Sequence, residues 1–233
     1  MGQIMERWQE RFQKAVTFSY DDGITQDERL VKLLNRYGMK CTFNLNSGYN
    51  SQIGTWQCGH ITVRRLDPEH WADIYQSHEA ACHTVSHPNL YEMTDEAAIR
   101  QEIARDKVEL ERIFGVPVCG MAYPFGGYTE QVKEIAAQEG IRYARTTRST
   151  HNFQMQTDLL AFAPTCHHDD PALFDLAEDF IRCVPKEPQI FYIWGHSYEF
   201  DVNNNWERME RFLQLISGRD DVFYGTNAQV LLG

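Results

Sequence analysis

Short apolar runs alternate with stretches of helical spacing from one end of the chain to the other. The runs Ala15–Tyr20, Met39–Leu45, Glu79–Thr84, Val118–Tyr123, Tyr143–Thr147, Leu159–Pro164, Gln189–Gly195 and Asp221–Gly225 are mostly rich in Val, Ile, Phe, Tyr or Thr. Near-continuous apolar character over so few residues predicts strands buried on both faces, as in a parallel sheet. Helices fit between them. Thr94–Phe114 carries Ile99, Ile103, Leu110, Ile113 and Phe114 near helical spacing. Thr94 is its expected N-cap, Asp95 and Glu96 suit the dipole of the first turn, and Gly115 and Pro117 stop it. Asn205–Ser217 places Trp206, Met209, Leu213 and Ile216 on one stripe, a core face without a chemical role. Asp170-Pro171 reads as the N-cap and first residue of another helix.

Repeated strand–helix units predict an α/β fold with a parallel sheet and right-handed crossovers, either an open doubly wound sheet or a closed barrel. In both, ligands gather at the C-terminal ends of the strands. The 233 residues suit one domain, and no low-complexity segment, repeat or Pro/Gly/Ser linker divides them. The segment Tyr49–Arg65 reads as a long insertion after the second strand, placed to fold over a site and set specificity.

Charge narrows the partners. With 33 acidic against 22 basic residues the formal net charge is −11, which argues against a nucleic-acid surface and against docking on anionic lipid. No apolar run approaches the ~18 residues of a membrane span. Met1-Gly2-Gln3-Ile4-Met5-Glu6-Arg7-Trp8 has no basic start followed by an apolar stretch, and Glu6 stands where a myristoylation site needs Ser or Thr. The six cysteines, Cys41, Cys58, Cys82, Cys119, Cys166 and Cys183, form no C-x-x-C pair and read as reduced structural thiols. Together these features lead to the expectation of a cytoplasmic protein.

Four polar clusters fall where strands end. Ser19-Tyr20-Asp21-Asp22-Gly23 closes the first strand. Alone, Asp-Gly is turn chemistry, yet two adjacent carboxylates repel unless a positive charge separates their roles. His83-Thr84-Val85-Ser86-His87-Pro88 ends the third strand, and Pro88 disfavours a helical conformation at His87, so a tight loop is expected there. Two imidazoles and one carboxylate make a three-ligand set with an open position, the arrangement of a catalytic metal site. Such a site acidifies bound water to a pKa of roughly 7 and polarises a carbonyl, while a free carboxylate nearby takes the proton. Tyr123-Pro124-Phe125-Gly126-Gly127 follows the fourth strand and can turn backbone N–H groups toward an oxyanion. Trp194-Gly195-His196 ends the Gln189–Gly195 run and offers an acid for a leaving group.

In this order the clusters resemble the NodB-homology domain of polysaccharide deacetylases, carbohydrate esterase family four. The family's T-F-D-D-G is matched by Ser19-Tyr20-Asp21-Asp22-Gly23, and its H-[S/T]-x-x-H in full by His83-Thr84-Val85-Ser86-His87. Its R-x-P-Y-G is matched in part by Ala122-Tyr123-Pro124-Phe125-Gly126, and its late His by His196. The likeness spans about residues 15–200. It implies a distorted (β/α) barrel of about seven parallel strands. It implies one divalent metal on Asp22, His83 and His87, zinc first, with cobalt, nickel, manganese or iron also suited to such ligands. It further implies Asp21 as base, His196 as acid and the Phe125 backbone N–H at the oxyanion, in a hydrolase that deacetylates an amino sugar or short oligosaccharide. A non-sugar linear or cyclic amide as substrate, and a silent carbohydrate-binding protein of the same fold, are the alternatives.

The sequence departs from the family at two places. Ala122 stands where the family has the Arg that pairs with the base. Arg145 is the expected replacement, ahead of Arg142 and Arg148, because Arg142-Tyr143-Ala144-Arg145 runs into a strand tip. The family's fourth motif has no clean match, although Cys166-His167-His168-Asp169-Asp170-Pro171 lies near its place and offers His167 to the pocket. Trp56, Tyr128, Trp194 and Tyr198 read as packing residues first and sugar-stacking surfaces second.

Overall fold

The structure, a computed structural model, describes residues 7–233. Met1–Glu6, on which the expectation about a leader or acylation pattern falls, lie outside the described residues. Alternation with period two organises everything that follows. All eight residues of β1 (Lys14–Asp21) are buried. Val16, Phe18 and Tyr20 join the main apolar core, whereas Thr17, Ser19 and Asp21 make their side-chain bonds to Asn227, Asn44 and Arg145. Strand β2 (Cys41–Leu45) repeats the pattern, with Cys41, Phe43 and Leu45 in the apolar core and Thr42 and Asn44 in polar contacts. The sheet thus has an oily face, and a polar face whose ladder of bonds ends at Asp21.

Helices α1 (Asp27–Arg36), α3 (Glu96–Phe114), α4 (Glu130–Gln138), α5 (Leu173–Arg182) and α7 (Trp206–Ile216) supply the crossovers. The short helices are α2 (Trp71–Ile74), α6 (Glu199–Val202) and α8 (Asn227–Leu231). The remaining strands are β3 (Trp56–Cys58), β4 (Ile61–Val63), β5 (Glu79–Cys82), β6 (Gly120–Ala122), β7 (Tyr143–Arg145), β8 (Cys166–His167), β9 (Gln189–Gly195) and β10 (Val222–Tyr224).

Seven strands run β7-β6-β5-β2-β1-β9-β8, and β10 shares the β2 side of β1, pairing with its first half. Every pairing in this sheet is parallel. One segment joins the two edges. Phe162 exchanges bonds with Ala144 and Thr146 beside β7, both at 2.9 Å, and three residues later Thr165 N–H reaches Tyr192 O of β9, also at 2.9 Å. The curled sheet therefore closes into the distorted (β/α) barrel expected, with this segment as its seam.

Three local expectations shift. Leu159–Pro164 is not a strand: Leu159–Ala161 is a 3-10 turn capped by Asp158, and Phe162 makes an isolated bridge. Pro164 has no N–H for a ladder, so pairing resumes beyond it in β8. Helix α3 is capped by Asp95, which accepts Ala97 and Ala98 N–H groups, rather than by Thr94; both types cap well, and the carboxylate also meets the dipole. Helix α5 begins at Leu173, because Asp170 spends its side chain on Ala172 N–H (2.9 Å) in the turn before it. The insertion Tyr49–Arg65 contains the antiparallel hairpin β3–β4.

Candidate active site

Strand ends carry the candidate residues. Asp21 is the last residue of β1 and Asp22 the next, with φ 87°. His83 follows β5 directly, Arg145 ends β7, and His196 follows β9. His87 (φ 54°) and Phe125 (φ 59°) sit in loops whose left-handed residues fold the chain back over the barrel mouth. The backbone strain at Asp22, His87 and Phe125 is stored where the chemistry is expected, and neighbouring contacts hold it.

Asp21, Asp22, His83, His87, Phe125 and His196 line a cavity of about 710 Å³, and Arg145 lies behind its wall. Asp22, His83 and His87 each offer one ligand atom, all within 4.8 Å of one another. The Nδ1 of His83 donates to Ala122 O at 2.8 Å, since a carbonyl only accepts, and this leaves its Nε2 free to ligate. Burial pushes His83 down to about 4 and lowers His87 as well, so both rings are neutral near pH 7, as ligation requires. Asp22 resists burial through Arg65 and the neighbouring imidazoles and falls to about 2. The donor set fits a divalent cation of the zinc type.

Asp21 is held differently. Asn44 Nδ2 donates to its Oδ1 at 2.8 Å, and Arg145 Nη2 donates to its Oδ2. Burial alone would raise this carboxyl, but Arg145, with His83 and His196, keeps it below the usual carboxylate range. Arg145 is fully buried and stacks on Trp194 with 4.6 Å to the ring centroid. The Arg missing at Ala122 is thus supplied from the neighbouring strand, as Ala122 and Arg145 are register partners. His196 Nε2 faces both carboxylates, 3.8 Å from Asp21 Oδ2 and 4.0 Å from Asp22 Oδ2. Burial disfavours its charge, but Glu199, Asp22 and Asp21 outweigh that and lift it to about 9. The ring of Phe125 packs edge-on against His87 (centroids 4.7 Å apart).

Sequence reasoning missed several partners. Arg65 reaches in from the insertion and donates from Nη1 to Asp22 Oδ1 (3.0 Å) and Asn46 Oδ1 (2.8 Å). Nothing in the local pattern around Arg65 marks it. Asp106, buried in α3, accepts the His83 backbone N–H at 2.9 Å. Glu199 lies in α6 near His196 Nδ1 (3.5 Å), and its spacing of three residues from His196 was a readable signal. His167 does not line the cavity. Its Nδ1 accepts Asp169 N–H at 3.1 Å, which leaves the proton on Nε2 for Glu199 at 3.0 Å. That tautomer lets His167 donate to the Glu199 carboxylate.

With this geometry in place, comparison with known proteins is decisive for the family. The polysaccharide deacetylase profile matches residues 9–144. The chain belongs to the polysaccharide deacetylase family. No curated protein matches the chain. A Mycobacterium smegmatis protein assigned to the polysaccharide deacetylases superposes with a TM-score of 0.69 at 16% identity, covering 97% of this chain and 92% of that one. The chitin deacetylase of Colletotrichum lindemuthianum gives 0.59 at 17% identity, over 94% and 88%. A Bacillus anthracis protein described as a pseudoenzyme of carbohydrate esterase family four gives 0.55 at 15% identity, over 94% of this chain and 66% of that one. In one further matched structure 56% of this chain covers 55% of that one, and in another 94% of this chain covers 68% of a longer one. At such identities the likeness is one of fold.

Proposed function

We propose that this polysaccharide deacetylase is a metal-dependent amidase that removes the N-acetyl group of an amino sugar or short oligosaccharide. One observation carries the reading: two adjacent carboxylates have been given different partners. Asp22 faces the two imidazoles, and Asp21 is paired with Arg145. One carboxylate is thereby free to act as a base beside a ligand set, which a mere binding site does not need.

A divalent ion on Asp22, His83 and His87, zinc or else cobalt, nickel, manganese or iron, supplies Lewis acidity when bound. The protein's own groups do the rest. Asp21 Oδ2, kept ionised and aimed by Arg145, takes a proton from the attacking water as its oxygen bonds to the amide carbon. The backbone N–H of Phe125 is assigned to the developing oxyanion. His196 Nε2, whose proton is favoured by the neighbouring Glu199 and Asp21 carboxylates, gives it to the leaving nitrogen as the C–N bond breaks, so acetate and a free amine result.

The test is acetate release from a panel of N-acetylated sugars, oligosaccharides and small amides, with metal-loaded and chelated protein. Release that needs the metal supports the reading, and the best substrate names the class. Release from non-sugar amides alone would establish the rival amidase. Metal bound with no release from any compound would leave a silent carbohydrate-binding protein.

The insertion bears on the choice. Trp56 of β3 meets Tyr198 edge-to-face at 5.6 Å and covers the Arg65 guanidinium at 4.9 Å, walling one side of the cavity. Trp56→Ala is expected to open that side, raising kcat/KM for longer substrates relative to short ones by about tenfold, on the order of 1.4 kcal/mol, with metal affinity unchanged. The ratio of the two kcat/KM values checks it. Arg65, at the end of the same insertion, is bonded to Asp22, so a deletion reaching that far would also disturb the metal ligand.

A further inference from the structure

We infer that Asp27 is a positioning residue for the hydrolysis proposed above, on which the inference rests: it clamps the turn that follows Asp21 and Asp22 at the end of β1 to the loop bearing His196. Asp27 opens α1 and is fully buried, an unusual place for a first-turn acid, which normally meets water. Its carboxylate accepts three hydrogen bonds from three separate segments. Ser197 Oγ donates to Oδ1 at 2.5 Å, while Ile24 N–H (3.1 Å) and Tyr75 O–H (2.7 Å) donate to Oδ2. Ser197 follows His196, and Ile24 comes two residues after Asp22.

The need for such a link follows from the sheet. Ladder pairing between β1 and β9 ends at Tyr20 and Gly195. Beyond it β9 enters the loop that carries His196, while β1 runs one residue further, to Asp21, paired only with β2; the groups that must stay opposed, Asp21 Oδ2 and His196 Nε2 at 3.8 Å, thus lie past the last β1–β9 pair. Asp27 bridges the turn after β1 and the His196 loop in the interior, and a half-buried bond from Gln26 Nε2 to Asp201 (3.0 Å) supports the same junction from outside. A local cap for the turn would need only the Ile24 N–H. The bond to Ser197 joins residues 170 positions apart and serves no helix. Small displacements between reacting groups are costly, about 10²-fold for 1 Å.

The experiment compares metal-loaded wild type with Ser197→Ala, Asp27→Ala and the double variant, alanine at 27 leaving no acceptor for the hydroxyl. Ser197→Ala should lower kcat about tenfold while KM and metal affinity stay within about twofold. The double variant should lose no more than Asp27→Ala alone, the non-additivity of two halves of one bond. Unchanged kcat per metal-loaded Ser197→Ala molecule, even with a lowered Tm, would show a structural bond only and overturn the inference, as would strictly additive losses. Should Asp27→Ala not fold, the kcat-against-KM split of Ser197→Ala decides alone. If wild type releases acetate from nothing, the functional reading fails, and the clamp is then judged on a crystal structure of Ser197→Ala. His196 Nε2 displaced from its 3.8 Å contact with Asp21 supports it, and an unmoved ring overturns it.

Discussion

Asp21→Asn is expected to lower kcat by about 10³- to 10⁴-fold and to leave the metal in place. The change removes the carboxylate proposed to take a proton from water, and it hardly alters the volume of the side chain. Asp21 is held by Arg145 and Asn44, while Asp22, His83 and His87 are the proposed ligand set, so metal content by elemental analysis should equal that of wild type. The substitution has a second consequence. An amide can satisfy Arg145 with its oxygen but then turns its NH₂ toward the Asn44 Nδ2 donor, costing about 1–3 kcal/mol of stability. It also removes one of the charges that lift His196, so residual turnover should fall off at lower pH than in wild type. Turnover within tenfold of wild type would move the base elsewhere. Loss of metal would make Asp21 a ligand.

Arg145→Met should be the most destabilising single change in the site, by about 3–5 kcal/mol, because it leaves a buried carboxylate without its cation. The pH dependence gives this a signature, best followed in chelated protein. In wild type the Asp21 carboxyl lies below the ordinary range, since Arg145 overcomes burial. The pair therefore contributes stability that is present above the unfolded carboxylate pKa of about 3.9 and is lost as pH falls through the lower folded value. In the variant, burial acts unopposed by Arg145 and the folded value rises above the unfolded one. Protonated Asp21 then favours the fold, so the deficit in Tm against wild type should begin to shrink as pH falls through that raised value, above about 4, and go on shrinking below it as wild type loses its own pair. The acid limb of turnover should move up in the same variant. A constant Tm deficit across pH, with an unshifted limb, would show that Arg145 serves packing alone.

How much of the site could be read along the chain differs residue by residue. Asp22, His83 and His87 were legible because each lies in a short cluster at a strand tip, and the fold gathers strand tips. Arg145 was legible for a chemical reason: a second carboxylate demanded a cation, and an Arg stood at the end of a strand. Asp27 was not, because an acid in the first turn of a helix has a sufficient local explanation. Arg65 and Asn46 were not, because they lie in or beside an insertion with no pattern of its own. Leu159–Pro164 was misread as a strand, since an apolar run does not say where the ladder stops, and Pro164 moved pairing to Cys166–His167.

The sequence by itself determined the alternation of strands and helices, the two faces of each strand, and which tips carry chemistry, because these depend on periods of two and 3.6 residues within one segment. Only the tertiary structure decided which cation meets which carboxylate, that the segment holding Phe162 and Thr165 seals the barrel, and that Asp27 ties the turn after Asp22 to the loop bearing His196. Those pairings join segments up to 170 residues apart, and their partners are chosen by the crossing of buried chains, which no local pattern records.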